Sequence, residues 1–171
     1  MINEELKQII KSKLYEYNVE GLISFIEDLD VNFYKADLIG PLAMATFDCV
    51  YLDLTKVVNP KLMFFIILHE IAHVKRMKKL GREEILRNLS LENFDKFFEH
   101  VLQEEIIADR YACYVYQKLN KDIYPRVMTQ QLDLEDNKFN YRQKARGFFG
   151  VIQNSEERYK KFVEKFIIKK Y

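Results

Sequence analysis

Ile2, Leu6, Ile9, Ile10, Leu14 and Tyr17 recur at the three-and-four spacing of a single helix face, with Glu, Lys and Gln between them. That pattern predicts an amphipathic helix over residues 2–17. A second, shorter helical segment is expected at residues 21–29. Residues 31–34 then carry β-type side chains and predict a short strand, after which Gly40-Pro41 breaks the chain. From Leu42 the period changes to two. Leu42, Met44 and Thr46, then Val50, Leu52 and Leu54, alternate with other residues on either side of Phe47-Asp48, which predicts a β-hairpin with its turn at those two residues.

Asn59-Pro60 is a helix start: Asn supplies a side-chain acceptor for the first free amides, and Pro occupies a position where its missing N–H costs nothing. The helix is expected to run to about Leu80, where Gly81 allows a left-handed stop and Lys75, Arg76, Lys78 and Lys79 complement the negative end of the dipole. A second start at Ser90, with Glu92 in its first turn, opens a helical pattern to about Leu119 that Asn120-Lys121-Asp122 closes. Beyond Pro125 one or two helical stretches are expected, the last amphipathic and running from Ser155-Glu156-Glu157 through Ile168.

These elements define an α+β fold that is mainly helical. A chain of 171 residues is of single-domain size, so residues 1–171 are read as one unit: a core over 1–119 and a helical C-terminal extension, of unassigned role, over 120–171. Hydrophobic residues make up 49% and charged residues 31%, with only five Gly and three Pro, a balance that excludes disorder and argues against a β-sandwich. Basic residues (27) and acidic residues (26) nearly cancel to +1, so no overall field favours nucleic acid or an anionic membrane as a partner. The basic clusters at residues 75–79 and near the C-terminus are read as solvated helix surface. The opening residues lack the basic and apolar regions of a secretory signal, and the longest apolar run, residues 62–68, is far short of a membrane span. A cytoplasmic protein is expected. Cys49 and Cys113 have no paired spacing and are expected to be free thiols.

The chemistry lies at His69-Glu70-Ile71-Ala72-His73. Four residues along a helix bring both imidazoles onto one face, one turn apart. Leu62, Phe65, Ile66 and Leu80 share that stripe, so each ring needs a polar partner in apolar surroundings. One metal ion can satisfy both. Zinc accepts imidazole nitrogen and carboxylate oxygen alike, and a catalytic site keeps its fourth position for water. Glu70, rotated by about 100° from His69, would be the general base that takes a proton from that water, and hydrolysis of a peptide bond is the chemistry expected. Two hydrogen-bonded core histidines and a surface glutamate are the plainer reading of the same pentad.

A third protein ligand is required, and the following helix offers one. Phe94, Phe98, Val101, Ala108, Ala112, Val115 and Leu119 make a stripe that Glu105 interrupts. A carboxylate on a buried face is costly unless a cation offsets it, whereas Glu104 points about 100° away toward a more polar side. Glu105 is therefore chosen over Glu104. Asp109, one turn on, is placed to accept the free ring N–H of a ligand histidine; a salt bridge to Arg110 or a nearby lysine is its plainer role. Small Ala108 and Ala112 would let the two helices approach closely. No oxyanion donor is assigned, Tyr111 and Tyr114 being nearest in sequence, and His100 is read as surface.

His69 to His73, followed by Glu105-Ile106-Ile107-Ala108-Asp109, resembles the gluzincin metallopeptidases, in which H-E-x-x-H precedes a glutamate ligand in an E-x-x-A-D/N setting. Tyr51-Leu52-Asp53-Leu54, the spacer to Leu68-His69 and the segment from Glu105 to Ala112 look, more narrowly, like the ImmA/IrrE-type family, a resemblance covering about residues 1–119. It implies a small zincin-like fold with a short twisted sheet packed on the active-site helix, and a strand near residues 50–54 able to pair with an extended protein or peptide substrate. Family members of this kind are often encoded by phages and mobile elements, and some cleave or otherwise remove a helix-turn-helix repressor. Many carry a fused DNA-binding segment; none is found here. A metal-binding regulator that docks on a partner without proteolysis is the alternative, and a metal-free interaction protein is a third. Substrate and oligomeric state are left open.

Overall fold

The computed structural model describes residues 2–38, 42–56, 59–81, 84, 94–121 and 168–169, and is a mixed α+β structure. Asn3 opens helix α1 (Glu4–Lys13) by accepting the Leu6 N–H at 2.8 Å. This helix is shorter than the apolar periodicity implies, because the chain turns at Leu14 and Asn18 starts helix α2 (Val19–Glu27). Asn18 accepts the Gly21 N–H, and its carboxamide lies so close over Gly21 that an added Cβ would fall 2.6 Å from Nδ2. Gly21 thus belongs to the cap of α2 rather than to its start. Asn18 also donates through Nδ2 to the Leu119 carbonyl (2.7 Å), and its own N–H reaches Asn120 Oδ1 (2.9 Å). The α1–α2 junction is thereby tied to the last turn of the long helix described below.

Strand β1 (Asn32–Lys35) is followed by the two-residue β2 (Asp37–Leu38), and the expected hairpin forms from β3 (Ala43–Ala45) and β4 (Cys49–Leu52). Thr46 N–H donates to the Cys49 carbonyl across its tip. The sheet has the order β1-β4-β3, with β1 parallel and β3 antiparallel to β4. One expectation is corrected here. The strand near residues 50–54 was to pair with an extended substrate, but β4 is central and paired on both sides; the outer strands are β1 and β3. Ala43 and Ala45 share a face with Leu52 and Val50, and Met44 shares the other with Tyr51. The small alanines let the following helix lie close against β3. Tyr51 stacks at 5.5 Å on Tyr34, its register partner in β1.

Helix α3 (Pro60–Leu80) starts and stops where its signals lie. Asn59 Oδ1 accepts from Lys61 N–H (2.9 Å) and Leu62 N–H (3.2 Å), and Gly81 follows the last turn with φ 80°, a conformation that favours glycine. Its N-terminal half is buried over most of its circumference, with Met63, Phe64, Phe65, Ile67, Leu68 and Ile71 in the core, so α3 fills the space between the sheet and helix α4 (Phe94–Asn120). The expected start of α4 at Ser90 lies outside the described residues. Ala108 and Ala112 are buried where α3 and α4 meet, as small side chains at a close crossing require. Tyr116 on α4 meets Phe64 edge-on at 5.4 Å, and Tyr17 joins the same aromatic cluster.

The expected helices beyond Pro125 lie outside the described residues, apart from their last position. Ile168, taken as the end of the final helix, is instead in strand β5 (Ile168–Lys169), antiparallel to β2, with Asp37 opposite Lys169 and Leu38 opposite Ile168. The β-branched side chain of Ile168 suits an extended chain better than a helix end. Among the described residues, no helix is long and apolar enough to cross a membrane. Cys49 and Cys113 are free.

Candidate metal centre

His69 and His73 occupy successive turns of α3 and face α4, where Glu105 and Asp109 occupy successive turns in return. Moving up α3 from Phe64 through His69 and His73, the partners move down α4 from Tyr116 through Asp109 to Glu105. The two helices therefore run antiparallel, and a four-residue step on one meets a four-residue step on the other.

The three ligand atoms converge. His69 Nε2 lies 3.0 Å from His73 Nε2 and 3.2 Å from Glu105 Oε2, and His73 Nε2 lies 3.4 Å from Glu105 Oε1. The rings are nearly perpendicular, at 75°. An ion held tetrahedrally at about 2.0–2.1 Å separates its ligand atoms by about 3.3 Å, so each of these contacts is close to the spacing of ligands on one ion, although the two histidines meet different oxygens of Glu105. His69, His73 and Glu105 could hold a metal ion.

The electrostatics favour positive charge at the same point. Burial opposes protonation of His69, but Asp109 and Glu105 outweigh it and push the ring up to about 10. Burial would raise Glu105, yet the two histidines hold it well below the usual carboxylate range. These carboxylates would stabilise a divalent cation by the attraction that otherwise holds a proton. Asp109 Oδ1 lies 2.7 Å from His69 Nδ1. It accepts the Nδ1–H, so the proton that a metal would displace is the one on Nε2, the nitrogen facing His73 and Glu105.

Glu70 is partly buried between α3 and the sheet. Burial raises its pKa, Glu105 adds to the effect, and the two histidines and the N–H of Ala45 oppose it. The Ala45 contact has a backbone cause. Thr46 N–H and Asp53 N–H bond across the hairpin, so the alternation of an antiparallel pair turns the amides of Ala43 and Ala45 away from β4. One of those outward amides meets the Glu70 carboxylate. Sequence periodicity carries no signal for this contact, which depends on which edge of β3 is left outermost.

Glu104 is engaged elsewhere: Arg76 Nε lies 2.9 and 3.2 Å from its two oxygens, and Nη2 lies 3.1 Å from Oε1. Arg76 was read as dipole compensation and as part of a solvated basic cluster; its position three residues beyond His73, on the helix that carries the candidate ligands, was the unused signal. The Tyr111 hydroxyl accepts from Lys75 Nζ at 3.0 Å, and exposed Tyr114 lies beneath Lys118. Their contacts are with lysines, and neither gains an oxyanion role. His100 is partly buried and outside the cluster. Compared with protein-family models, with curated proteins and with solved structures, the chain has no significant match.

Proposed function

We propose that this protein is a zinc-dependent metallopeptidase of the gluzincin type, zincin-like in fold and similar to the ImmA/IrrE family, that hydrolyses a peptide bond in a protein substrate. The carrying observation is the convergence of His69, His73 and Glu105, the two Nε2 atoms 3.0 Å apart and one Glu105 oxygen within 3.2 or 3.4 Å of each, with Glu70 beside them. Two nitrogens and one carboxylate oxygen are a ligand set that zinc accepts, with a fourth position left for water. When bound, the ion supplies Lewis acidity and brings a water's pKa down toward about 7.

The chain's own groups perform the remaining work. Asp109 holds the His69 ring in one tautomer. Glu70 takes the proton of the attacking water and returns it to the leaving amine. The outer edge of β3 offers backbone donors and acceptors to an extended substrate segment, and the Ala45 amide places that edge against Glu70. Retention of a carboxylate at position 70 favours turnover over docking, since a site that only holds metal has no use for a base. The free thiols at Cys49 and Cys113 are compatible with a reducing cytoplasm.

Elemental analysis of dialysed protein, beside hydrolysis of a degenerate fluorogenic peptide library, tests the proposal. Wild type should carry about one zinc and Glu105→Gln much less. Glu70→Gln should keep zinc and lose hydrolysis. Full hydrolysis by Glu70→Gln would remove the mechanism, and absence of metal from wild type after zinc is added back would remove the peptidase reading.

A further inference from the structure

Helix α4 presents two adjacent carboxylates, Glu104 and Glu105, to the helix that carries His69 and His73. They are chemically equivalent as ligands and differ only by about 100° of rotation. A turn of α4 about its axis by part of that angle would bring Glu104 toward the histidines and move Glu105 off them.

We infer that Arg76 is a positioning residue for the metal centre, holding Glu104 in a two-pronged grip that fixes the rotation of α4 and leaves Glu105 as the ligand. This rests on the metal-binding reading above. Arg76 lies one turn of α3 past His73, and Glu104 directly precedes Glu105, so the grip closes within one turn of the ligands on both helices. It is the last rung of an antiparallel series: His69 with Asp109, His73 with Glu105, Arg76 with Glu104. Nε is shared between both carboxylate oxygens and Nη2 takes one of them, so the guanidinium plane fixes the direction of the carboxylate as well as its distance. Lysine, a point charge on a flexible stem, could hold the charge but not that direction. The Arg76 side chain is 31% exposed and that of Glu104 16%. Ion pairs this accessible contribute little to global stability, so the effect should appear at the ligands rather than in the fold.

The test uses the full chain with cobalt(II) or zinc alone as probe. Metal dissociation constants are measured by competition with a chromophoric chelator, and the visible spectrum of the cobalt form reports its ligand geometry. Arg76→Leu should weaken binding about 10- to 100-fold, the range for groups that orient metal ligands, and should alter the cobalt spectrum while thermal unfolding of the metal-free protein moves little. Arg76→Lys should fall between, and the reversed pair Arg76→Glu with Glu104→Arg should recover most of the wild-type affinity and spectrum. Wild-type affinity and spectrum in both Arg76→Leu and Arg76→Lys overturn the positioning role and leave the metallopeptidase reading standing. A fall in metal-free stability that accounts for the whole loss of binding also overturns it, by reducing Arg76 to a structural residue. Failure of wild type itself to bind either metal overturns the underlying reading and this inference with it.

Discussion

His69 Nδ1 lies 2.7 Å from Asp109 Oδ1, and this contact between two helices decides which nitrogen of the ring faces His73 and Glu105. With the Nδ1–H committed to Asp109, Nε2 is the nitrogen that would face a metal. Asp109→Ala removes the acceptor and frees the ring to rotate or change tautomer. Metal affinity should fall about 10- to 100-fold. Asp109→Asn should lose less, because its amide oxygen still accepts the Nδ1–H, though without charge. Chelator competition on the three proteins checks the order; equal affinity in wild type and Asp109→Ala would show that the ring is held by its other contacts.

The spacing of the two helices is set by the smallest side chains between them. Ala112 is fully buried and Ala108 nearly so. Ala112→Leu adds three heavy atoms to a filled contact and should cost about 1–3 kcal/mol, measured by urea unfolding of metal-free protein. The separation it forces is carried along α4 to Glu105, two turns away, so metal affinity should fall as well. A variant with lowered stability and wild-type affinity would mean that the helices repack locally without transmitting the shift.

What was legible in the sequence divides along physical lines. Helix α3 was readable to the residue because its ends are fixed by local chemistry, the Asn59 cap and Gly81 at φ 80°. The convergence of His69, His73, Glu105 and Asp109 was readable because helical periodicity alone decides which residues share a face. The sheet was readable only in part. Alternation located the hairpin, but which residues of β3 and β4 stand opposite each other follows from a register in which Met44 opposes Tyr51, and the central place of β4 follows from its parallel pairing with β1. Neither is a local property. The grip of Arg76 on Glu104 was missed for a different reason: a charge near a helix end has an adequate local role, and its long-range partner becomes visible only once the helices are docked. Ile168 was assigned to a helix from an amphipathic pattern, whereas its strand partner, Leu38, is distant in sequence.

Asp53, which entered the sequence reading only within Tyr51-Leu52-Asp53-Leu54, is a buried joint that ties the end of β4 to β2 and to the turn at residues 53–56. Its side chain has no exposure, and it accepts from Leu38 N–H (3.0 Å), Thr55 N–H (3.2 Å) and the Thr55 hydroxyl (2.6 Å), with Lys56 Nζ at 2.9 Å. Burial would raise its pKa, but these partners outweigh burial and bring it from 3.8 down to about 2. A carboxyl with a lowered folded-state pKa binds its proton more readily when unfolded. Its stabilisation is therefore fully present above pH about 4 and is lost as pH falls through about 2, amounting to about 2 kcal/mol at neutral pH. Asp53→Asn keeps the size but turns an amide toward donors, and should lower neutral-pH stability by at least that amount. The measurement is urea unfolding of wild type and variant from pH 7 to 2 with chelator present. Protonation of His69, Glu70 and Glu105 is common to both proteins, so the difference in stability isolates Asp53. That difference should shrink as pH falls from about 4 to about 2; a difference that stays constant across the range would mean that Asp53 has the same pKa folded and unfolded, so that its partners do not favour the carboxylate over the neutral acid.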